Sequence, residues 1–324
     1  MIAWQRKARW NSPVDQEKGM AILVTDGCGF LGSTLIQMIA DNQQIAVSYD
    51  RRAAESDATR GVHYVQGDLN DLPHLLETID RFAIDAVIHA AAVSHPFFSR
   101  EIPYQTVVTN ALGTTNVFEA ARLKSVRRVV NFSSECVYGD NEDLEATHED
   151  APLNPTTPYG ATKVFTEKLA SVYSRLYGMH IVSLRPGWIY GPGQYMQCYL
   201  HSLLRNAIDG RPTNEPAGAD YRFQYVHVTD VARASLLALG APHAAGRAFN
   251  ITGGDQRTYG EVAALVRSRF PGADIEIGPG TLEVLDRNAP FDLSLAKREP
   301  GYVPQISFEE GLDSYAKWLY THAY

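Results

Sequence analysis

The 324-residue sequence is poor in cysteine: Cys28, Cys136 and Cys198 are its only three. They lie far apart and are odd in number, which excludes a disulfide framework and any knuckle with metal-ligand spacing. Sparse cysteine points to a reducing compartment, and a cytoplasmic protein is expected. No run of 18 apolar residues occurs, which excludes a membrane-spanning helix. A basic excess is also missing. Lys and Arg number 29 against 37 Asp and Glu, a net charge of -8. That argues against a nucleic-acid partner gripped along many phosphates. It leaves room for a single phosphate-bearing small molecule. The N-terminal stretch is basic but has no apolar core, so it does not read as a secretory signal. Residues 1–19 are expected to form an extension ahead of the folded chain. What is abundant is ordinary: 45% hydrophobic and 10% aromatic residues. This is enough for one large domain or two coupled ones.

From Met20 short apolar runs alternate with amphipathic stretches. Strands are expected at 21–25, 45–49, 62–65, 85–89, 128–132 and 181–184. Helices are expected from the turn after Thr25 to Ala40, over 104–124 and over 158–177. Apolar strands alternating with helices imply a parallel sheet covered on both faces, a doubly wound α/β fold. After Arg185 the rhythm breaks into Pro- and Gly-rich loops, beginning with Pro186, Gly187, Gly191, Pro192 and Gly193. Residues 20–185 therefore read as a dinucleotide-binding domain. Residues 186–324 read mainly as a smaller substrate domain, with a segment near 223–240 returning to the first.

Thr25-Asp26-Gly27-Cys28-Gly29-Phe30-Leu31-Gly32 follows the first strand and opens a helix. Gly27 and Gly29 allow a tight turn and close backbone approach. Phe30 and Leu31 begin a helix whose free N–H groups suit a pyrophosphate. Asp50 ends the second strand, where a carboxylate can accept both adenosine ribose hydroxyls. This favours NAD over NADP, although Arg51 and Arg52 beside it could hold a 2′-phosphate. Asp68, with Leu69, is placed either to face an adenine or to cap a helix. Ala90, Ala91 and Ala92 end the fourth strand with small side chains that let a flat cofactor lie close.

Tyr159 and Lys163 stand at i and i+4 on one helical face. A lysine there can lower the tyrosine pKa, and the phenolate can take a proton from a carbinol. Ser134, at the end of the fifth strand, can hydrogen-bond the reacting oxygen. Glu135 and Cys136 beside it are candidate proton-transfer groups, Cys136 alternatively a buried apolar thiol. Ser94 and His95 are candidate substrate contacts, His95 alternatively a loop histidine.

The order of these pieces resembles the extended short-chain dehydrogenase/reductase family, also called the NAD-dependent epimerase/dehydratase family. The resemblance runs from about Met20 to the C-terminus. It includes Asn110-Ala111-Leu112-Gly113, Tyr190-Gly191-Pro192 and Val226-His227-Val228-Thr229-Asp230. It implies a Rossmann domain with NAD and the catalytic set Ser134, Tyr159 and Lys163. It also implies Asn110 in a water-linked relay, Pro186 beside the nicotinamide, and a homodimer built through the helices at 104–124 and 158–177. Three positions depart from the pattern. Asp26 replaces the first glycine of the fingerprint. Trp188 stands where nucleotide-sugar members carry an asparagine. Phe223 and Gln224 stand where they carry Arg-Asp, with Arg222 one residue early as a candidate substrate ligand. Missing diphosphate ligands lead to the expectation of an NAD-dependent oxidoreductase acting on a free sugar, sugar acid or hydroxy acid. The alternative is a nucleotide-sugar epimerase or dehydratase that retains and recycles NAD. A third reading, a non-catalytic NAD(P) sensor, is disfavoured by the presence of both Tyr159 and Lys163.

Overall fold

A computed structural model describes residues 19–53 and 61–322. The extension expected over 1–19 therefore lies outside the described residues except for Gly19. Seven parallel strands form the central sheet. They are β1 (Ala21–Thr25), β2 (Ile45–Asp50), β3 (Val62–Gln66), β4 (Ala86–His89), β5 (Arg128–Phe132), β6 (His180–Pro186) and β11 (Ala248–Ile251). Their spatial order is β11-β6-β5-β4-β1-β2-β3. The order in which strands are added reverses between β1 and β4, which remain parallel, and a crevice opens there above the strand ends.

Side-chain alternation explains why both faces had to be covered. In β1, Ile22 and Val24 pack into one apolar cluster, while Ala21 and Leu23 pack into another on the opposite face. In β6, Val182 and Leu184 join the first cluster and Ile181 the second. The first face is covered by α1 (Phe30–Asp41) and α8 (Val228–Gly240). The second is covered by α2 (Leu72–Arg81), α5 (Gly113–Leu123) and α6 (Pro158–Tyr177).

Three features differ from the sequence expectation. The helix expected over 104–124 is split into α4 (Pro103–Val107), a π-helical turn over Val108–Leu112, and α5. The expected loop after Pro186 contains a short strand, β7 (Trp188–Tyr190), paired in parallel with β10 (Tyr225–His227). The C-terminal half returns to the sheet twice. Residues 228–251 supply α8 and the edge strand β11, and α10 (Ser294–Arg298) packs beyond it. Periodicity could not reveal β11. It is a four-residue strand interrupted by the polar Asn250, and only pairing with β6 identifies it.

The remaining C-terminal elements enclose a separate apolar cluster. It is built by α7 (Tyr199–Asp209), α9 (Tyr259–Arg269) and α11 (Phe308–Thr321) over small strand pairs. Aromatic rings dominate it: Phe223 contacts Trp188, Tyr199, Tyr221, Tyr225 and Tyr259. No helix among the described residues is long and apolar enough to cross a membrane.

Candidate active site

Two adjoining cavities follow the crevice above β1 and β4 and share Asp26 and Ala92. The first continues past β5 and α6 to the loop at 186–198. The second is lined by Tyr49, Asp50, Arg51, Asp68, Leu69 and Ala91, among others.

Helix α1 begins between them. Gly29 is its N-cap, with no side-chain hydrogen bond and no acidic residue in the first turn. Its first N–H groups are thus left for an anion. Gly32 is required for this approach: a Cβ there would lie 1.9 Å from the Asp26 carbonyl oxygen. Asp50 is buried at the end of β2. It accepts the Cys28 N–H (3.0 Å) and the Arg52 N–H (2.8 Å). Uncapped helix donors beside a strand-end carboxyl fit a dinucleotide, its pyrophosphate at α1 and its adenosine toward Asp50. Arg51 lines the second cavity, whereas the Arg52 guanidinium turns back to the Cys28 carbonyl and the Tyr195 ring. Asp68 lines the same cavity but accepts the backbone and side-chain N–H groups of Asn70 (2.8 and 3.0 Å). The cap of α2 is Asp71 instead.

At the other end, Ser134, Tyr159 and Lys163 line one cavity wall. Thr157 caps α6 by accepting the Gly160 N–H, with Pro158 in its first turn. The helix start then abuts the segment after β5. A Cβ on Gly160 would lie 2.4 Å from the Cys136 carbonyl oxygen. That close approach sets Tyr159 beside Ser134 on the cavity wall, and Ser134 Oγ accepts the Cys136 N–H (3.2 Å). Lys163 Nζ donates to the Phe132 carbonyl (2.6 Å) and lies 5.6 Å from the Tyr159 ring centre.

Burial governs the electrostatics here. It lowers the Lys163 ammonium to about 8, with Glu167 pulling the other way. It raises the Tyr159 phenol above its ordinary range, Cys136 and Glu135 adding to the rise and the Ser134 hydrogen bond opposing it. The Lys163 ammonium, turned to the Phe132 carbonyl, is not among the groups that shift the phenol. Glu135 lies well above the usual carboxylate range through burial and the nearby Asp286. Burial and Glu135 also push the Cys136 thiol up. Glu135 and Asp286 oppose a thiolate at Cys136, an environment in keeping with the alternative of a buried apolar thiol.

A layer behind the wall was not anticipated. His89 is buried at the end of β4, and burial with the Lys163 charge lowers it to about 3. Thr114 donates to the Asn110 carbonyl, so His89 Nε2–H donates to Thr114 Oγ1 (2.8 Å). Its Nδ1 then accepts the Thr25 hydroxyl (2.8 Å), which itself accepts the Ala91 N–H (3.1 Å). Asn110, in the π turn, accepts the Val93 N–H and donates to the Val93 carbonyl and Thr162 Oγ1. This network ties β1, β4 and α6 together under the cleft. Thr25 and Thr114 could have been singled out only by knowing that β1 and β4 are neighbours.

Most anticipated residues line the cleft. Phe30, Leu31, Ala90, Ala92, Ser94, His95, Glu135, Pro186 and Trp188 belong to the reacting end. His95 also caps α3 (Pro96–Glu101), accepting the Phe97 N–H through Nδ1 (3.2 Å). Four do not line either cavity. Gly27 packs on Ser48 and Gly29 under the Asp26 carboxyl. Asn110 stands behind the cleft, its amide occupied by Val93 and Thr162. Arg222 is exposed on β9 (Arg222–Phe223), outside the cavity. Gln194, Tyr195, Met196 and Cys198 enter the first cavity unforeseen, from a loop with no periodic signal.

A doubly wound sheet with a dinucleotide cleft and a buried Ser-Tyr-Lys wall defines an NAD-using oxidoreductase class of enzyme. The chain belongs to the NAD dependent epimerase/dehydratase family, whose model matches residues 22–252. A dTDP-glucose 4,6-dehydratase of Streptomyces niveus is 30% identical over 315 residues, 92% of each chain. A UDP-glucose 4-epimerase of Mycolicibacterium smegmatis is 31% identical over 306 residues, 90% of this chain and 96% of the relative. The crystal structure of a Thermus thermophilus UDP-glucose 4-epimerase in complex with NAD superposes with a TM-score of 0.84 and 27% identity. The match covers 94% of this chain and 100% of that one. The cofactor is NAD. The expectation of a free sugar or hydroxy acid finds no support among these relatives, which favour the nucleotide-sugar alternative.

Proposed function

We propose that the chain is a nucleotide-sugar epimerase or dehydratase that oxidises a sugar carbinol and retains its NAD between half-reactions. The observation that carries this reading is the meeting of Ser134, Tyr159 and Lys163 on one buried wall beside the dinucleotide cleft. Bound NAD supplies a hydride acceptor whose positive ring favours the phenolate form of a neighbouring tyrosine. Tyr159 takes the hydroxyl proton as the carbinol is oxidised and returns it on reduction. Ser134 orients the reacting oxygen. Lys163 fixes Tyr159 from behind while anchored to the Phe132 carbonyl. Glu135, kept neutral by burial, is the second proton carrier available to a dehydration. Ser94, His95 and Trp188 contact the substrate. A homodimer through α4, α5 and α6 is part of the reading. Tyr104, Val107, Leu123, Phe165 and Leu176 leave large apolar side chains exposed on those helices.

One observation favours a second reading, a smaller carbinol without a diphosphate. Apart from Lys163, no lysine or arginine lines the reacting cavity among the described residues. Arg205, Arg257 and Arg287 are paired with Asp209, Asp255 and Asp140. Purified protein should carry NAD and convert a UDP- or dTDP-hexose without net NADH release. Stoichiometric NADH release from free sugars or hydroxy acids, with nucleotide sugars inert, would establish the second reading instead. Tyr159→Phe should lower turnover by roughly 10²–10⁴-fold while leaving NADH binding intact. Undiminished turnover would remove Tyr159 from the chemistry.

A further inference from the structure

Behind the reacting cavity a smaller pocket opens toward the C-terminal half. The two share Pro96, Glu135, Cys136 and Trp188. The inner pocket continues to Asp286 and Asn288, on the loop leading to α10. Its volume of about 20 Å³ has room for one water-sized group. Acceptors dominate its polar lining. Glu135 is only 8% exposed, yet its carboxyl meets no hydrogen-bond donor among the described residues. Asn288 Oδ1 is buried and has no partner either. Asp286 is held by the Thr156 hydroxyl, which donates to Oδ1 (2.5 Å). Two neighbouring donors, the Tyr221 hydroxyl (2.8 Å) and Asn288 Nδ2 (3.5 Å), are both engaged with the Asp286 backbone carbonyl. The two charged side chains in the lining are acidic. Arg100 stands outside it, its guanidinium on the Val284 carbonyl (3.1 Å), and Lys163 in the reacting cavity is tied to the Phe132 carbonyl.

We propose that this inner pocket selects the sugar. It seats one hydroxyl or amino substituent between Glu135, Asp286 and Asn288 and shuts out a carboxylate, so that hexosyl and aminohexosyl groups are substrates and hexuronosyl groups are not. Asp286 is the residue that sets this preference. The inference rests on the proposed sugar carbinol as substrate and does not depend on the nucleotide.

Buried acceptors without donors are costly, and a ligand that brings a donor recovers that cost. A hydroxyl supplies one donor and an ammonium three, whereas a carboxylate is acceptor-only. A carboxylate here would face other acceptors and a second carboxyl with no cation to pair with it. It is also larger than the single water-sized group the pocket admits. Glu135 follows Ser134 directly in the chain, so the seated substituent belongs to the same sugar ring as the reacting carbinol.

The test runs two panels on the NAD-loaded protein: UDP-glucose, UDP-glucosamine and UDP-glucuronate, and the free sugars glucose, glucosamine and glucuronate. Kd and kcat/KM are read for each. In the panel that reacts, the glucosamine member should stay within about tenfold of the glucose member, and the glucuronate member should fall roughly 10²-fold below it, the scale of like charges facing each other in a buried site. Asp286→Arg supplies the missing cation and should narrow the glucose–glucuronate gap to about tenfold or less, and Asp286→Asn should narrow it by a smaller factor. Equal use of the glucose and glucuronate members by the wild type overturns the proposal without need of a variant, and leaves the nucleotide-sugar reading standing. A gap that neither variant alters overturns it too. Inert UDP sugars beside a glucose–glucuronate gap among the free sugars would remove the nucleotide-sugar reading and uphold the pocket's selectivity. Failure of both panels to bind or react overturns both.

Discussion

At the adenosine end of the cleft, Asp50 accepts two backbone N–H groups, and Arg51 and Arg52 stand beside it near solvent. At the reacting end, Glu135, Tyr159 and Lys163 are buried, and desolvation drives each toward its neutral form. The adenosine end can tolerate fixed charge because backbone dipoles and water compensate it. The reacting end needs groups that exchange a proton at low cost, and burial brings them toward that condition. Asp26 sits at the boundary and shows the reacting end's behaviour within the adenosine end's turn.

Substitutions at the two ends should separate these roles. Lys163→Met removes the donor behind Tyr159. It should cut kcat by roughly 10²–10³-fold, the scale of losing one aligned donor in a dry site. ADP-ribose affinity should change by less than about threefold. A comparable loss of ADP-ribose binding would mean the two ends are not independent. Asp50→Ala should do the converse. NADH should bind roughly 10–100-fold more weakly, the worth of a hydrogen-bonded charged group. Turnover at saturating cofactor should be nearly unchanged. Gly160→Ala probes the joint that aligns the wall. The added Cβ would press on the Cys136 carbonyl, costing about 1–3 kcal/mol. Thermal unfolding should show a fall of several degrees, with kcat reduced more than NADH affinity. An unshifted midpoint would show that α6 can retreat from β5 freely.

The cofactor end was legible because its determinants are local. A strand, a Gly-rich turn and a helix start are contiguous, and Asp50 lies at the end of the next strand. Tyr159 and Lys163 are one helical turn apart, so their shared face follows from geometry alone. The substrate end was harder to read. Arg222 looked like a ligand because it is a cation near a motif, yet the short β9 strand leaves it exposed while Phe223 turns into the aromatic cluster. Asn110, expected in a water-linked relay, stands in the π turn behind the cleft with its side-chain amide held by the Val93 backbone and Thr162.

The sequence by itself determined the doubly wound class, the dinucleotide turn and the Ser-Tyr-Lys set, since each depends on periodicity or short fixed spacing. Tertiary structure decided the seventh strand and the Thr25–His89–Thr114 support. It also decided the ionisation of the buried wall. All of these depend on which segments become neighbours and how much water is removed between them. Asp26 read as a sequence is an unwelcome charge near a pyrophosphate. Folded against Gly29, it is a carboxyl that burial and the Asp50 charge push above its ordinary range.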